Sequence, residues 1–103
     1  MSNRFLKLWV DDERPPPDIN FWDVSRNFHE AITKLDLLQY DEISLDHDIA
    51  SFYGDTEMTG YHIVKWLVQR KLDGKYVPTI IRVHSANIIG SANMVDMIEK
   101  YLK

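Results

Sequence analysis

The sequence predicts an α/β domain, a short doubly wound parallel sheet of three to four strands with helices in the connections. Two observations carry that expectation. Short apolar runs alternate with segments of helical period, the order that builds βαβ units with right-handed crossovers. Three of the runs also stop at a cluster of carboxylate or imidazole side chains: Phe5 to Val10 meets Asp11-Asp12-Glu13, Ile43 to Leu45 meets Asp46-His47-Asp48, and Thr79 to Val83 meets His84-Ser85-Ala86-Asn87. Neighbouring strands lie about 4.8 Å apart, and ligands of open α/β sheets bind at the carboxyl edge. Parallel pairing of these runs would place most of the chemistry in one crevice.

The elements follow in order. After the first strand, Pro15-Pro16-Pro17 removes backbone donors and fixes φ, so it marks a stiff link too short for a helix. Phe21-Trp22-Asp23-Val24 reads as a short extended segment. Asn27 with Glu30 forms an approximate capping signal, and Phe28, Ala31, Ile32, Leu35 and Leu38 recur at helical spacing. Ile43 to Leu45 is the next strand. Ala50 to Met58 shows no period and contains Gly54, which predicts a loop. Thr59 can cap a second helix with Ile63, Val64, Leu67 and Val68 inward, ending near Gly74. Pro78 opens the last strand, where a first position need not donate. Arg82 within that strand suits a sheet edge. Gly90 and Ser91 precede a final helix whose apolar face is Met94, Met97, Ile98, Tyr101 and Leu102. Of the remaining aromatic and imidazole groups, Trp9, Trp22 and Trp66 read as core, and His29 and His62 as surface or helix-packing residues.

With 103 residues, of which 45% are hydrophobic and 12% aromatic, the chain reads as one domain over residues 1–103. The absence of cysteine excludes a disulfide framework, a thiolate metal site and a Cys nucleophile. The N-terminal apolar run is interrupted by Lys7, far short of the ~20 residues of a membrane span, and has no cleavage pattern, which predicts a soluble, cytoplasmic protein without a membrane partner. A formal charge of −4 with scattered basic residues argues against duplex DNA as partner. The acids are concentrated at the strand ends, where they would repel a bare phosphate unless a divalent cation intervenes or some carboxyls are protonated.

Asp11 and Asp12 are candidate metal ligands, because Mg²⁺ is held by one or two carboxylates with several waters retained; a solvated acidic turn is the plainer alternative. Asp46-His47-Asp48 directly follows a buried strand, so extended geometry would put Asp46 and Asp48 on one side and His47 on the other. An imidazole beside carboxylates suits proton transfer near neutral pH. His84, Ser85 and Asn87 offer a second imidazole, a hydroxyl and an amide that can donate to phosphoryl oxygens.

These motifs resemble a response-regulator receiver domain. Asp11-Asp12 resembles its acidic metal pair, Asp41 to Asp46 the strand ending in the phosphoacceptor, Met58-Thr59-Gly60-Tyr61-His62-Ile63-Val64 the start of the following helix, and Val83-His84-Ser85-Ala86 the strand bearing Ser/Thr-Ala. Pro15-Pro16-Pro17 stands where the first helix would be. The last strand-helix unit is missing, and with it the receiver Lys. A narrower set is similar to the cyclic-phosphate processing receiver-like family: Trp9-Val10-Asp11-Asp12-Glu13-Arg14-Pro15-Pro16, Ile43 to Asp48, Thr59-Gly60-Tyr61, and Val83 to Asn87 with Asn93-Met94. Ile88 departs from the Pro common there.

The resemblance implies a receiver-like (flavodoxin-like) fold and an enzyme that opens a cyclic phosphate, such as the 2′,3′-cyclic phosphate of a small nucleotide or an RNA end. Asp11, Asp12 and Asp46 would bind a divalent metal, Mg²⁺ or Mn²⁺. His47 and His84 would divide the proton transfers, with Asp46 as an alternative nucleophile. Ser85, Asn87, Arg14 and Thr59 would hold the substrate. A degenerate receiver that binds a protein partner or cyclic nucleotide without turnover is the main competitor, and phosphorelay at Asp46 a third reading. The open edge of the last strand could pair two chains as a dimer.

Overall fold

The computed structural model describes residues 5–103. Its elements run β1 (Lys7–Val10), β2 (Asp23–Ser25), α1 (Phe28–Leu37), β3 (Glu42–Leu45), β4 (Ser51–Tyr53), β5 (Thr56–Met58), α2 (Gly60–Leu72), β6 (Ile80–Val83) and α3 (Ile88–Tyr101). Four strands form one parallel sheet in the order β2-β1-β3-β6. The expected α/β arrangement is present, with β6 at an edge as Arg82 suggested.

Strand order dictates where the helices go. The chain moves one way across the sheet from β1 to β2 and the other way from β2 to β3 and on to β6. Right-handed crossovers therefore put the first link on one face and α1 and α2 on the other. Leu8 and Val10 align with Ile43 and Leu45, and these with Ile81 and Val83. On their side of the sheet they meet Phe28, Ala31 and Leu35 of α1, Ile63, Val64 and Leu67 of α2, and Met94 and Ile98 of α3 in one core. The winding is thus double in direction, but among the described residues only one face carries helices.

The opposite face bears Trp9, Ser44 and Arg82 in register. Trp9 is buried there, edge-on to Trp22 at 5.6 Å, and its indole N–H donates to the Arg14 carbonyl at 2.9 Å. Trp9 is therefore buried outside the helix-facing core. The proline-bearing link, with Pro16 buried, covers Trp9 and supplies a second layer on this face.

Three expectations need correction. Ala50 to Met58 is not a loop: β4 and β5 pair as an antiparallel hairpin, turning through Gly54 at φ 62°. A positive φ at the first of two turn residues is the geometry glycine supplies in tight hairpins. The short strand expected at Phe21 to Val24 lies at Asp23–Ser25. Helix α3 starts at Ile88 rather than after Ser91, because Asn87 accepts from the Gly90 N–H as its cap.

Candidate functional site

The register of the sheet carries straight into the site. Asp46 N–H donates to the Val10 carbonyl at 3.0 Å, and His84 N–H to the Leu45 carbonyl at 2.9 Å. Asp11, Asp46 and His84 are therefore the first residues beyond three adjacent strands. With side chains alternating along each strand, all three continue the face that carries Trp9 and Ser44.

Asp11 is almost wholly buried, at 1% exposure, and each oxygen is engaged. Oδ1 accepts from the backbone N–H of Glu13 and of Arg14, both at 2.9 Å. Oδ2 accepts from Arg14 Nε at 3.1 Å and lies 3.1 Å from His84 Nε2. Burial is the largest influence on this carboxyl and pushes it up. The two backbone donors, His84 and the Arg14 charge together outweigh burial and hold Asp11 below its usual range.

His84 lies flat on Trp9, with centroids 3.7 Å apart, and its Nδ1 is 2.7 Å from Ser44 Oγ. Desolvation lowers the imidazole below its usual value, outweighing the pull of Asp11 and Asp46 in the other direction. A neutral ring must then donate from Nε2 to the ionised Asp11 and accept the Ser44 hydroxyl at Nδ1. Both ring nitrogens are thereby committed within the protein.

Asp46 Oδ1 accepts from the His47 N–H at 2.9 Å and lies 3.6 Å from Arg14 Nη2. Carboxylate oxygens of Asp11, Asp12 and Asp46 fall within 4.8 Å of one another. They open onto a crevice of about 560 Å³, whose walls also include Arg14, Asp48 and Ser85. Three hard oxygen donors at that separation form a set suited to one divalent cation.

His47 stands elsewhere. Its ring packs over α3, where a Cβ on Gly90 would come 2.5 Å from the imidazole, and its Nδ1 lies 2.9 Å from Asp48 Oδ1. That hydrogen bond is the main reason Asp48 sits below its usual range, with burial opposing and Asn87 and the His47 charge assisting. Asp46 and Asp48 thus share the crevice while His47 faces the helices, as extended geometry foresaw. The two imidazoles have separate surroundings: His84 is held by Trp9, Ser44 and Asp11, and His47 by Asp48 and the start of α3.

Ser85 reaches the crevice, although its Oγ accepts the Asn87 N–H at 3.1 Å. Asn87 is occupied at both ends of its amide: Oδ1 caps α3 at Gly90, and Nδ2 donates to Asp48 at 3.3 Å. Thr59 caps α2 in a reciprocal box with His62. Thr59 and Asn87 therefore position the site rather than line the crevice. The N-terminus of α2 abuts the end of β3, since Gly60 N–H donates to the His47 carbonyl at 2.8 Å.

A family model described as the cyclic-phosphate processing receiver domain matches residues 6–100. The chain belongs to this family. Comparison with curated proteins and with solved structures gives no match.

In this cyclic-phosphate processing receiver domain, sequence reasoning found the acids of the crevice and Ser85, but it missed the partners that decide what they can do. In the sequence Ser44 reads only as part of a strand. Its position two residues before Asp46, and therefore on the same side of the strand, was the available signal. Trp9 stands in the same relation to Asp11. Nothing local in the sequence announces that Arg14 folds back onto two carboxylates.

Proposed function

We propose that this protein opens or processes a cyclic phosphodiester, a 2′,3′-cyclic phosphate of a nucleotide or RNA end being the leading substrate class. One observation carries the reading: Asp11, Asp12 and Asp46 converge at the carboxyl edge of a receiver-like sheet, in a chain whose family is named for cyclic-phosphate processing. The crevice is too acidic to accept an anion unaided, so the reading includes a divalent cation at the three carboxylates. Bound there, it would neutralise the phosphate and lower the pKa of water.

The protein's own groups take the other roles. The two backbone donors and His84 fix Asp11 in orientation and keep it ionised. Ser85 stands at the crevice wall as a hydroxyl donor to a phosphoryl oxygen. His47 gives its Nδ1 proton to the bond with Asp48, itself a wall of the crevice, which leaves Nε2 as the lone-pair nitrogen of a His–Asp dyad that reaches the crevice through Asp48. In this reading the dyad serves as the proton carrier. His84 holds Asp11 and does not exchange protons with substrate.

Phosphorus NMR tests the reading on protein incubated with Mg²⁺ or Mn²⁺ and a 2′,3′-cyclic nucleotide or cyclic-ended RNA. The wild type is expected to convert the cyclic resonance to a monoester. Asp46→Asn should abolish conversion, and His47→Ala should slow it by about 10²–10⁴-fold. Equal conversion by wild type and both variants would refute the assignment.

The engagement of both His84 nitrogens favours a second reading, in which the domain binds a cyclic nucleotide without turning it over. Calorimetric binding with the ligand recovered intact would select it.

A further inference from the structure

Six of the residues lining the crevice carry carboxylates, and one, Arg14, carries a positive charge. Its guanidinium is forked across the candidate cation position, with Nε on Asp11 Oδ2 at 3.1 Å and Nη2 3.6 Å from Asp46 Oδ1. Nη2 also donates to the His84 carbonyl at 3.0 Å.

We infer that Arg14 is the resident cation of this acidic cluster, and that its guanidinium and a divalent ion are alternative occupants of the space between Asp11 and Asp46. This rests on the metal-assisted reading above and adds the order of events: ion entry turns Arg14 out of the cluster, toward the mouth where a phosphate would arrive.

The lone pairs of Asp11 make the exchange obligatory. An ionised carboxylate offers about four acceptor positions. Glu13 N–H, Arg14 N–H, Arg14 Nε and His84 Nε2 engage Asp11 at all of them. The first two are backbone groups of a tight turn, and His84 is clamped between Trp9 and Ser44. Only the Arg14 side chain, 52% exposed, has an open path away. The residue itself stays put, since its carbonyl accepts the Trp9 indole N–H and its N–H is held by Asp11. The movement is confined to side-chain torsions, and the released fork is the geometry that grips a phosphate with two parallel hydrogen bonds.

Mn²⁺ binding, read by the loss of the free-ion paramagnetic resonance signal and without substrate, tests the exchange. Arg14→Gln should bind Mn²⁺ about tenfold more tightly than wild type. Arg26→Gln is the charge control, because Arg26 donates to the Asp11 carbonyl rather than its carboxylate; it should shift affinity far less. In wild-type protein the Nε–H resonance of Arg14 should be visible and shielded from water exchange, then lose that shielding as Mg²⁺ is added. That second readout needs no variant to fold. Equal gains in Arg14→Gln and Arg26→Gln, an Nε–H signal indifferent to Mg²⁺, or no Mn²⁺ binding by any form would each overturn the inference. A protein that exchanges ions yet leaves a cyclic phosphate intact supports it while refuting the hydrolytic reading.

Discussion

The half-buried imidazole of His84 ties the stability of the fold to pH. Desolvation lowers its pKa in the folded protein below the ordinary 6.5, so near and below that pH the unfolded chain binds more protons than the folded one. Its contribution to stability is therefore complete above pH 6.5 and is lost as the pH falls toward the depressed folded value. Asp11, also depressed, adds a loss of the same sign at lower pH, beneath its ordinary 3.8. Denaturant midpoints measured from pH 8 to pH 5 should fall for wild type. His84→Gln should start lower, from the lost stack on Trp9, and show a flatter dependence over that interval. Parallel curves would mean that another group sets this pH dependence.

Among the secondary-structure elements, two glycines separate packing from chemistry. A Cβ on Gly60 would lie 2.0 Å from the Asp46 carbonyl oxygen, so Gly60→Ala must push α2 away from β3 and should cost about 1–3 kcal/mol or more. The neighbours at Gly90 are instead ring atoms of His47, Cγ at 2.5 Å among them, so relief requires the imidazole to leave its rotamer. Gly90→Ala should therefore lower the melting temperature less than Gly60→Ala does while displacing the imidazole and reducing turnover in the phosphorus assay. Thermal melts paired with that assay distinguish the two effects. The elements most legible in the sequence were those with long periodic faces: α1 and α2 follow their capping signals at Asn27 and Thr59. The β4–β5 hairpin was hidden because Phe52, Tyr53, Thr56 and Glu57 are all exposed, leaving no inside–outside alternation to read. Gly54-Asp55 was the only cue. The start of α3 was displaced because Asn87 has two plausible uses for one amide, ligand or cap, and local sequence does not choose between them. The acids of the crevice were legible since strand ends fix them. Their pairing with Arg14 and His84 was not, since it spans up to 73 residues of chain.

For the whole molecule, charge and architecture act together. Net charge is −4, and mutual repulsion of the acids at the crevice opposes folding. A cation that binds only the folded state should relieve this, so millimolar Mg²⁺ or Mn²⁺ should raise the melting temperature, and a chelator should reverse the gain. Asp12→Asn should blunt the response, and an unchanged melt would count against a cation at the three carboxylates. Among the described residues no helix is long and apolar enough to cross a membrane.

The segment from Asp11 to Trp22 roofs Trp9 and at the same time carries Arg14 to the acids. Scission within Pro17 to Asn20 would leave every strand and helix whole, and Arg14 would keep its ties to Trp9 and Asp11, because all three lie on the same side of the cut. What a single nick there would remove is the covalent tie between β1 and β2, leaving β1 in the middle of the sheet on its hydrogen bonds and packing alone.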